Sequence, residues 1–211
     1  MDTPEPPPGP WVTLFLAAGQ ARRFGADKLL APLPGGEAVA LVAARHLLQG
    51  LGPRPRPIAV LRPEQTELGR RLAALGFGLL PSPSARLGLG HSIAAGVAAT
   101  ARAAGWLLIL ADMPGIQART VASLAQQMDS GAGAVAPEYR GQRGHPVGFG
   151  ARWGAALQAL RGDQGARAVL AAAGTELVRV VTDDPGVLQD IDTPADLAGW
   201  PLRTTGELPP P

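Results

Sequence analysis

The chain has 211 residues, 46% hydrophobic, 17% charged and 4% aromatic, enough for one domain with a sizeable core. Nineteen Lys and Arg against 17 Asp and Glu leave a net charge of +2, too balanced to point to nucleic acid or a membrane surface. The absence of cysteine excludes disulfide scaffolds, zinc ribbons, thiol catalysis and iron–sulfur ligation, and it fits a reducing cytoplasm.

The opening MDTPEPPPGP is acidic and proline-rich, unlike the basic start and apolar core of a signal peptide, and reads as a flexible arm over residues 1–10. Trp11 to Gly19 (WVTLFLAAG) is a short apolar run with β-branched and aromatic residues ending in a glycine turn, which predicts a buried strand. A helix over 38–48, a strand over 57–61, a helix over 64–75 and a short strand over 78–80 follow, then a Pro/Ser/Gly loop. Next come an Ala-rich helix over 92–104, the most apolar strand, GWLLILA, over 105–111, a helix over 118–128 and a strand over 132–136. From Tyr139 to Phe149 the rhythm breaks into glycine-rich loop and short strand, as at an insertion or a sheet edge. Helices over 152–160 and 166–173 and a strand over 177–181 complete the domain, expected to span 11–200, with a flexible tail over 201–211. No apolar run approaches the roughly 18–20 residues needed to cross a bilayer, so a cytoplasmic enzyme without membrane or nucleic-acid partners is expected.

Repeated strand–helix units predict an α/β fold, a Rossmann-like, mainly parallel sheet with helices on both faces. In such folds ligands bind beyond the carboxyl ends of the strands, here the loops after Leu16, Leu80, Leu110 and Val181. The first of these loops, LAAGQARRFGADK, carries the only lysine of the chain, Lys28. A lysine offers a compact charge with three donors, suited to phosphate oxygens, whereas the bland alternative is a chance surface residue. Backbone N–H groups of Gly19 to Ala21 suit an anion. The loop is not a Walker A motif, because Lys28 lies three residues beyond Gly25 and precedes Leu29. Nor does a G-x-G-x-x-G follow any strand.

Asp112 follows the strand GWLLILA and precedes Met113-Pro114, a position that suits a Mg²⁺ site or, equally, a turn cap. Asp190 and Asp192 bracket Ile191, so alternation sends both carboxylates to one side, although Asp192 also suits capping of a helix begun by Pro194. In RLGLGHSIAAG the glycines permit close approach of backbone to a ligand, and Ser92 is expected to open a helix as its cap. His46 lies in an apolar helix and reads as a satisfied core residue.

These segments in this order resemble the MobA-like nucleotidyltransferases. LAAGQARRFGADKLLAPLPG is similar to their opening L-A-A-G-x-S-x-R-[FM]-G-x-x-K-x-L, with Ala21 where the family usually has Ser. ILADMPGI resembles their L-A-D-M-P segment, GLGHSIAAG their G-[ML]-x-x-S-[LI]-x-x-G, GHPVGF their G-H-P-V-x-F, RGDQGAR their G-D-x-G-A-R and DIDTPADL their closing D-I-D-T-P-E-D-L. The resemblance runs from about Trp11 to Leu197. It implies a fold of the nucleotide-diphospho-sugar transferase type. It further implies that Leu16, Ala17, Ala18 and Gly19 hold base and sugar and that Arg23 and Lys28 grip the triphosphate, with Gly88 and Ser92 beside the nucleotide. Asp112 and Asp192 would hold Mg²⁺, making Arg23, Lys28 and Asp112 the catalytic set. His145, Asp163 and Arg167 would meet the acceptor, while His91 falls on a variable position and receives no catalytic role.

Within the family the chain resembles the molybdenum cofactor cytidylyltransferases. The implied reaction moves CMP from CTP to the terminal phosphate of molybdenum-loaded molybdopterin, with release of pyrophosphate and a molybdenum hydroxylase as client. A GTP-using guanylyltransferase, a sugar-phosphate nucleotidyltransferase and a non-catalytic cofactor-delivery chaperone remain alternatives. Guanylyltransferases resemble L-A-G-G at the first loop, and the Ala18 methyl here favours the smaller pyrimidine.

Overall fold

A computed structural model describes residues 9–19 and 28–200. The expected arm and tail therefore lie mostly outside the described residues, as do Ala21 and the phosphate-gripping candidate Arg23. The elements in chain order are β1 (Val12–Leu16), α1 (Val39–Leu51), β2 (Ile58–Leu61), α2 (Thr66–Ala74), β3 (Gly78–Pro81), α3 (Leu89–Ala99) and β4 (Gly105–Leu110). After them come α4 (Ala118–Asp129), β5 (Ala134–Tyr139), β6 (Gln142–Arg143), β7 (Val147–Gly150), α5 (Gly154–Gln158), α6 (Arg167–Ala172), β8 (Leu177–Val181) and α7 (Pro194–Ala198).

The strands form one sheet in the order β3-β2-β1-β4-β7-β5-β6, with β8 pairing β5. The pairs β1–β2, β1–β4, β2–β3 and β5–β8 are parallel. The break in rhythm before Phe149 proves to be the short strand β7, antiparallel to both neighbours and set in the middle of the sheet, with the β5–β6 hairpin beside it. This is the mixed, mostly parallel sheet of a nucleotide-diphospho-sugar transferase fold.

The apolar runs of β1 and β4 have a direct cause: both strands are covered on both faces. Phe15, Leu107 and Ile109 point to one core with Leu47, Leu68 and Leu124 of α1, α2 and α4. Leu14, Trp106 and Leu108 point to the other with Ile93, Leu157 and Leu170 of α3, α5 and α6. Gly96 lets α3 lie close on β1, since a Cβ there would fall 2.7 Å from Leu14 Cδ1. No helix among the described residues is long and apolar enough to cross a membrane.

Two helix caps differ from the sequence reading. α3 begins at Leu89 rather than Ser92, because Gly88 takes φ 122° and serves as the N-cap. Ser92 instead sits buried in the first turn and donates to the Gly88 carbonyl at 3.3 Å. α3 also stops at Ala99, where Thr100 Oγ1 donates to Gly96 O at 2.7 Å and accepts from Trp106 Nε1 at 2.8 Å. At the other end, α7 is capped by Thr193 in a reciprocal box with Asp196, not by Asp192. Asp192 is thereby left for another partner.

Candidate functional site

Lys28 opens a short 3₁₀ turn, Lys28–Leu30, at the far end of the first loop. Its residue is only 5% exposed, and its ammonium donates to Asp112 Oδ2 and to Asp192 Oδ1, each at 2.8 Å. Residues 84 and 164 positions away thus meet on one lysine. Burial by itself would lower the Lys28 pKa, but the charge and hydrogen bonds of Asp112, then Asp192, more than offset it, and the pKa lies above its ordinary value of 10.5. Asp190 faces the opposite influence: partial burial, then the charges of Asp192 and Asp112, raise its pKa from 3.8.

The meeting of Asp112 with Asp192 is arranged by backbone. Ile191 N donates to Asp112 O at 2.9 Å, and the Ile191 side chain is buried against Leu33 and Val39. The chain reaches that point through a segment anchored by Asp184, which is fully buried. Its carboxylate accepts from Gly186 N at 3.0 Å, Gln117 N at 2.8 Å and Thr120 Oγ1 at 2.7 Å. Gly186 passes so near Gly115 that a Cβ would stand 2.1 Å from its carbonyl oxygen. Sequence reading missed Asp184; the Asp184-Pro185-Gly186 turn chemistry was the available signal.

The start of the first loop is pinned from below. Ala17 and Ala18 are buried, with Gln65 Nε2 donating to Ala17 O at 3.0 Å. The Arg62 guanidinium donates to Gly19 O at 2.9 Å and to Ala18 O at 3.4 Å. Neither Arg62 nor Gln65 stands out in the sequence, since both belong to the segment between β2 and α2 and reach the loop only through sheet order.

Beside the Lys28 cluster, at the carboxyl ends of β1 and β4, lies a cavity of about 460 Å³. Leu16, Leu89, Ile93, Leu108, Leu110 and Leu170 make its aliphatic walls, and Arg143, His145 and Arg167 add its polar groups. His145 Nδ1 is buried without a hydrogen-bond partner. Burial lowers the His145 pKa below 6.5, against the weaker opposing pull of Asp112, so the imidazole is neutral near pH 7. The structure therefore joins His145 and Arg167 in one cavity and adds Arg143, which the sequence reading did not single out.

Asp163 is placed differently. It stands on the loop between α5 and α6, against Gly88, where a Cβ on the glycine would fall 2.4 Å from its Oδ1. The same loop is clasped by α3: Gly90 N donates to Gly162 O, and Gly162 N donates to His91 Nδ1, both at 2.9 Å. His91 thus has a backbone partner in the loop that carries Asp163. His46 is likewise satisfied, its Nδ1 lying 3.0 Å from Pro114 O.

Among the described residues no three or more His, Cys, Asp or Glu side chains gather as a metal site. The donors present are hard carboxylate oxygens, two of them already converging on one cation. That set fits Mg²⁺, which takes one or two protein carboxylates and completes its shell with water and phosphate.

A sheet of this order with charged loops at its carboxyl edge defines an α/β enzyme fold of the nucleotide-binding kind. Residues 13–180 match the MobA-like NTP transferase domain, and the chain belongs to that family of nucleotidyltransferases. It is 31% identical over 204 residues to the purine catabolism protein PucB of Bacillus subtilis, covering 88% of this chain and 93% of the relative. Among solved structures, Rv0371c of Mycobacterium tuberculosis H37Rv superposes with a TM-score of 0.76 at 22% identity, over 90% of this chain and 96% of that one. That protein has also been solved as a manganese complex. A Methanothermobacter nucleotidyl transferase superposes with a TM-score of 0.73 at 20% identity, over 89% of this chain and 94% of its own.

Proposed function

We propose that the protein is a molybdenum cofactor cytidylyltransferase, moving CMP from CTP to the terminal phosphate of molybdenum-loaded molybdopterin. The observation that carries this reading is the junction of two unlike halves: the Lys28–Asp112–Asp192 cluster, and an aliphatic cavity bearing Arg143, His145 and Arg167. One half suits a nucleoside triphosphate and the other a flat, phosphate-bearing acceptor. The buried Ala18 methyl, where guanylyltransferases of the family resemble L-A-G-G, supports a pyrimidine base.

In the proposed reaction Lys28 exchanges its carboxylate partners for oxygens of the triphosphate, and Arg23 joins it. Asp112 and Asp192, released from Lys28, would hold Mg²⁺, which supplies charge neutralisation and orientation of the phosphates. The manganese complex of the mycobacterial neighbour supports a divalent ion in this role. An oxygen of the acceptor phosphate attacks the α-phosphorus of CTP in line. A new P–O bond forms, the bond to the β-phosphate breaks, and the electron pair leaves with pyrophosphate. The nucleophile is already ionised near pH 7, so this chain need not supply a strong base, and positioning with charge stabilisation carries the catalysis. The name of the Bacillus relative supports a client among molybdenum hydroxylases acting on purines.

The test is pyrophosphate release with Mg²⁺ and molybdenum-loaded molybdopterin, with CTP and GTP in parallel. Release with CTP alone is expected. Release with GTP alone keeps the chemistry and overturns the base assignment, whereas silence from both, with nucleotide still bound, favours another acceptor or the delivery role.

A further inference from the structure

The surface arginines are mostly matched: Arg45 with Glu37, Arg54 with Asp129, Arg119 with Asp183 and Arg179 with Glu138. The cavity between α3, α6 and β7 brings together two that are not. Arg143, the last residue of β6, and Arg167, the first of α6, both line it. Among the described residues neither guanidinium has an ion-pair partner. On the same cavity the buried Nδ1 of His145 lacks any partner. Arg143 is half-buried and Arg167 exposed, so two guanidinium groups free of carboxylates and one unsatisfied buried nitrogen face the same cavity, ready for a ligand to complete them.

We propose that Arg143 and Arg167 form the dianion-recognising end of this cavity, which takes a phosphomonoester carried on a flat ring system. The site's role as acceptor site rests on the cytidylyltransferase reading; its ligand chemistry does not. Aliphatic walls from Leu16, Leu89, Ile93 and Leu108 receive the ring body, and the guanidinium forks match the phosphate oxygens. A phosphomonoester carries close to two negative charges near pH 7, one for each arginine. After transfer, the former terminal phosphate lies within a diphosphate diester and holds a single charge. The same two arginines therefore grip the acceptor more tightly than the product, which favours release.

Equilibrium dialysis of the full chain against 4-methylumbelliferyl phosphate tests this, with the sulfate ester as a singly charged control on the same ring. Saturable binding of the phosphate is expected, about tenfold tighter than the sulfate. Arg143→Gln and Arg167→Gln should each weaken the phosphate about tenfold and erase the preference over sulfate, while Arg143→Lys restores part of it. Arg143→Gln should melt as the wild type does and bind CTP equally well, since no internal partner is lost. Absence of saturable binding by the wild type, or equal phosphate binding by wild type and Arg143→Gln, overturns the proposal. Arginine-dependent probe binding without CTP-driven pyrophosphate release would leave this site standing and remove the cytidylyltransferase reading.

Discussion

The Lys28 cluster and the neighbouring cavity meet their electrostatic needs in opposite ways. In the cluster, one ammonium satisfies two carboxylates at 2.8 Å each, and the charges are matched before any ligand arrives. In the cavity, Arg143 and Arg167 have no ion-pair partner among the described residues, and His145 Nδ1 is buried and unbonded. In the proposed reaction a matched cluster must first be opened, because Lys28 would leave its carboxylates to serve a triphosphate. The unmatched cavity needs no such opening to receive the proposed phosphomonoester. On the proposed function, substitutions at Lys28 should therefore change rate and stability together, whereas those of the cavity arginines should change binding alone.

The sharpest way to break that contrast is Lys28→Ala. Pyrophosphate release should fall by about a thousandfold, as expected for losing a charge aimed at the transferring phosphates. Near-normal turnover would falsify the assignment. Stability should also fall, by about 1–2 kcal/mol in urea unfolding, because Asp112 and Asp192 lose their cation while remaining partly solvated. Lys28→Arg should not rescue the rate, since a planar fork replaces a compact ammonium.

Asp184→Ala probes what holds the cluster together. Three donors, two of them in buried bonds, lose their acceptor, and unfolding should become easier by about 3 kcal/mol. An unchanged urea midpoint would mean that the segment leading to Asp192 is anchored by something else.

His91→Ala tests the clasp between the α3 end and the loop carrying Asp163. It should raise the acceptor KM about fivefold with little change in kcat, because the loop loses one backbone partner while the reacting groups stay. His91→Asn, which offers an acceptor oxygen at similar reach, should recover most of the loss. Equal acceptor KM values in wild type and His91→Ala would dismiss the clasp.

The smallest effect concerns pH. Burial depresses the folded-state pKa of His145 below 6.5, so the unfolded chain takes up this proton first. The stability contribution is present above pH 6.5 and is lost as pH falls from there through the depressed folded value. His145→Phe should flatten this part of the urea-midpoint profile, and an unaltered slope would show that other groups set it.

Much of this was legible in the linear chain, and for identifiable reasons. β1 and β4 declared themselves because strands covered on both faces must be apolar throughout, and the spacing of their loops located Lys28 and Asp112. Asp192 was visible as a carboxylate, but its availability was not. Local pattern admitted it as a helix cap, and only the Thr193–Asp196 box freed it for Lys28. Ser92 misled in the same way, since Gly88 could begin α3 three residues earlier through a left-handed turn packed against Gly162.

By itself, then, the sequence determined the strand–helix order, the two-faced core and the residue types that charge the loops, because periodicity and turn chemistry are local properties. Tertiary structure alone decided that β7 runs antiparallel through the middle of the sheet and that Asp184 anchors the return to Asp192. It alone also decided that Arg143 joins Arg167 on one cavity. Each of these depends on which segments the sheet order brings together. No local pattern encodes which charges come to share a space that forms only when distant strands pair.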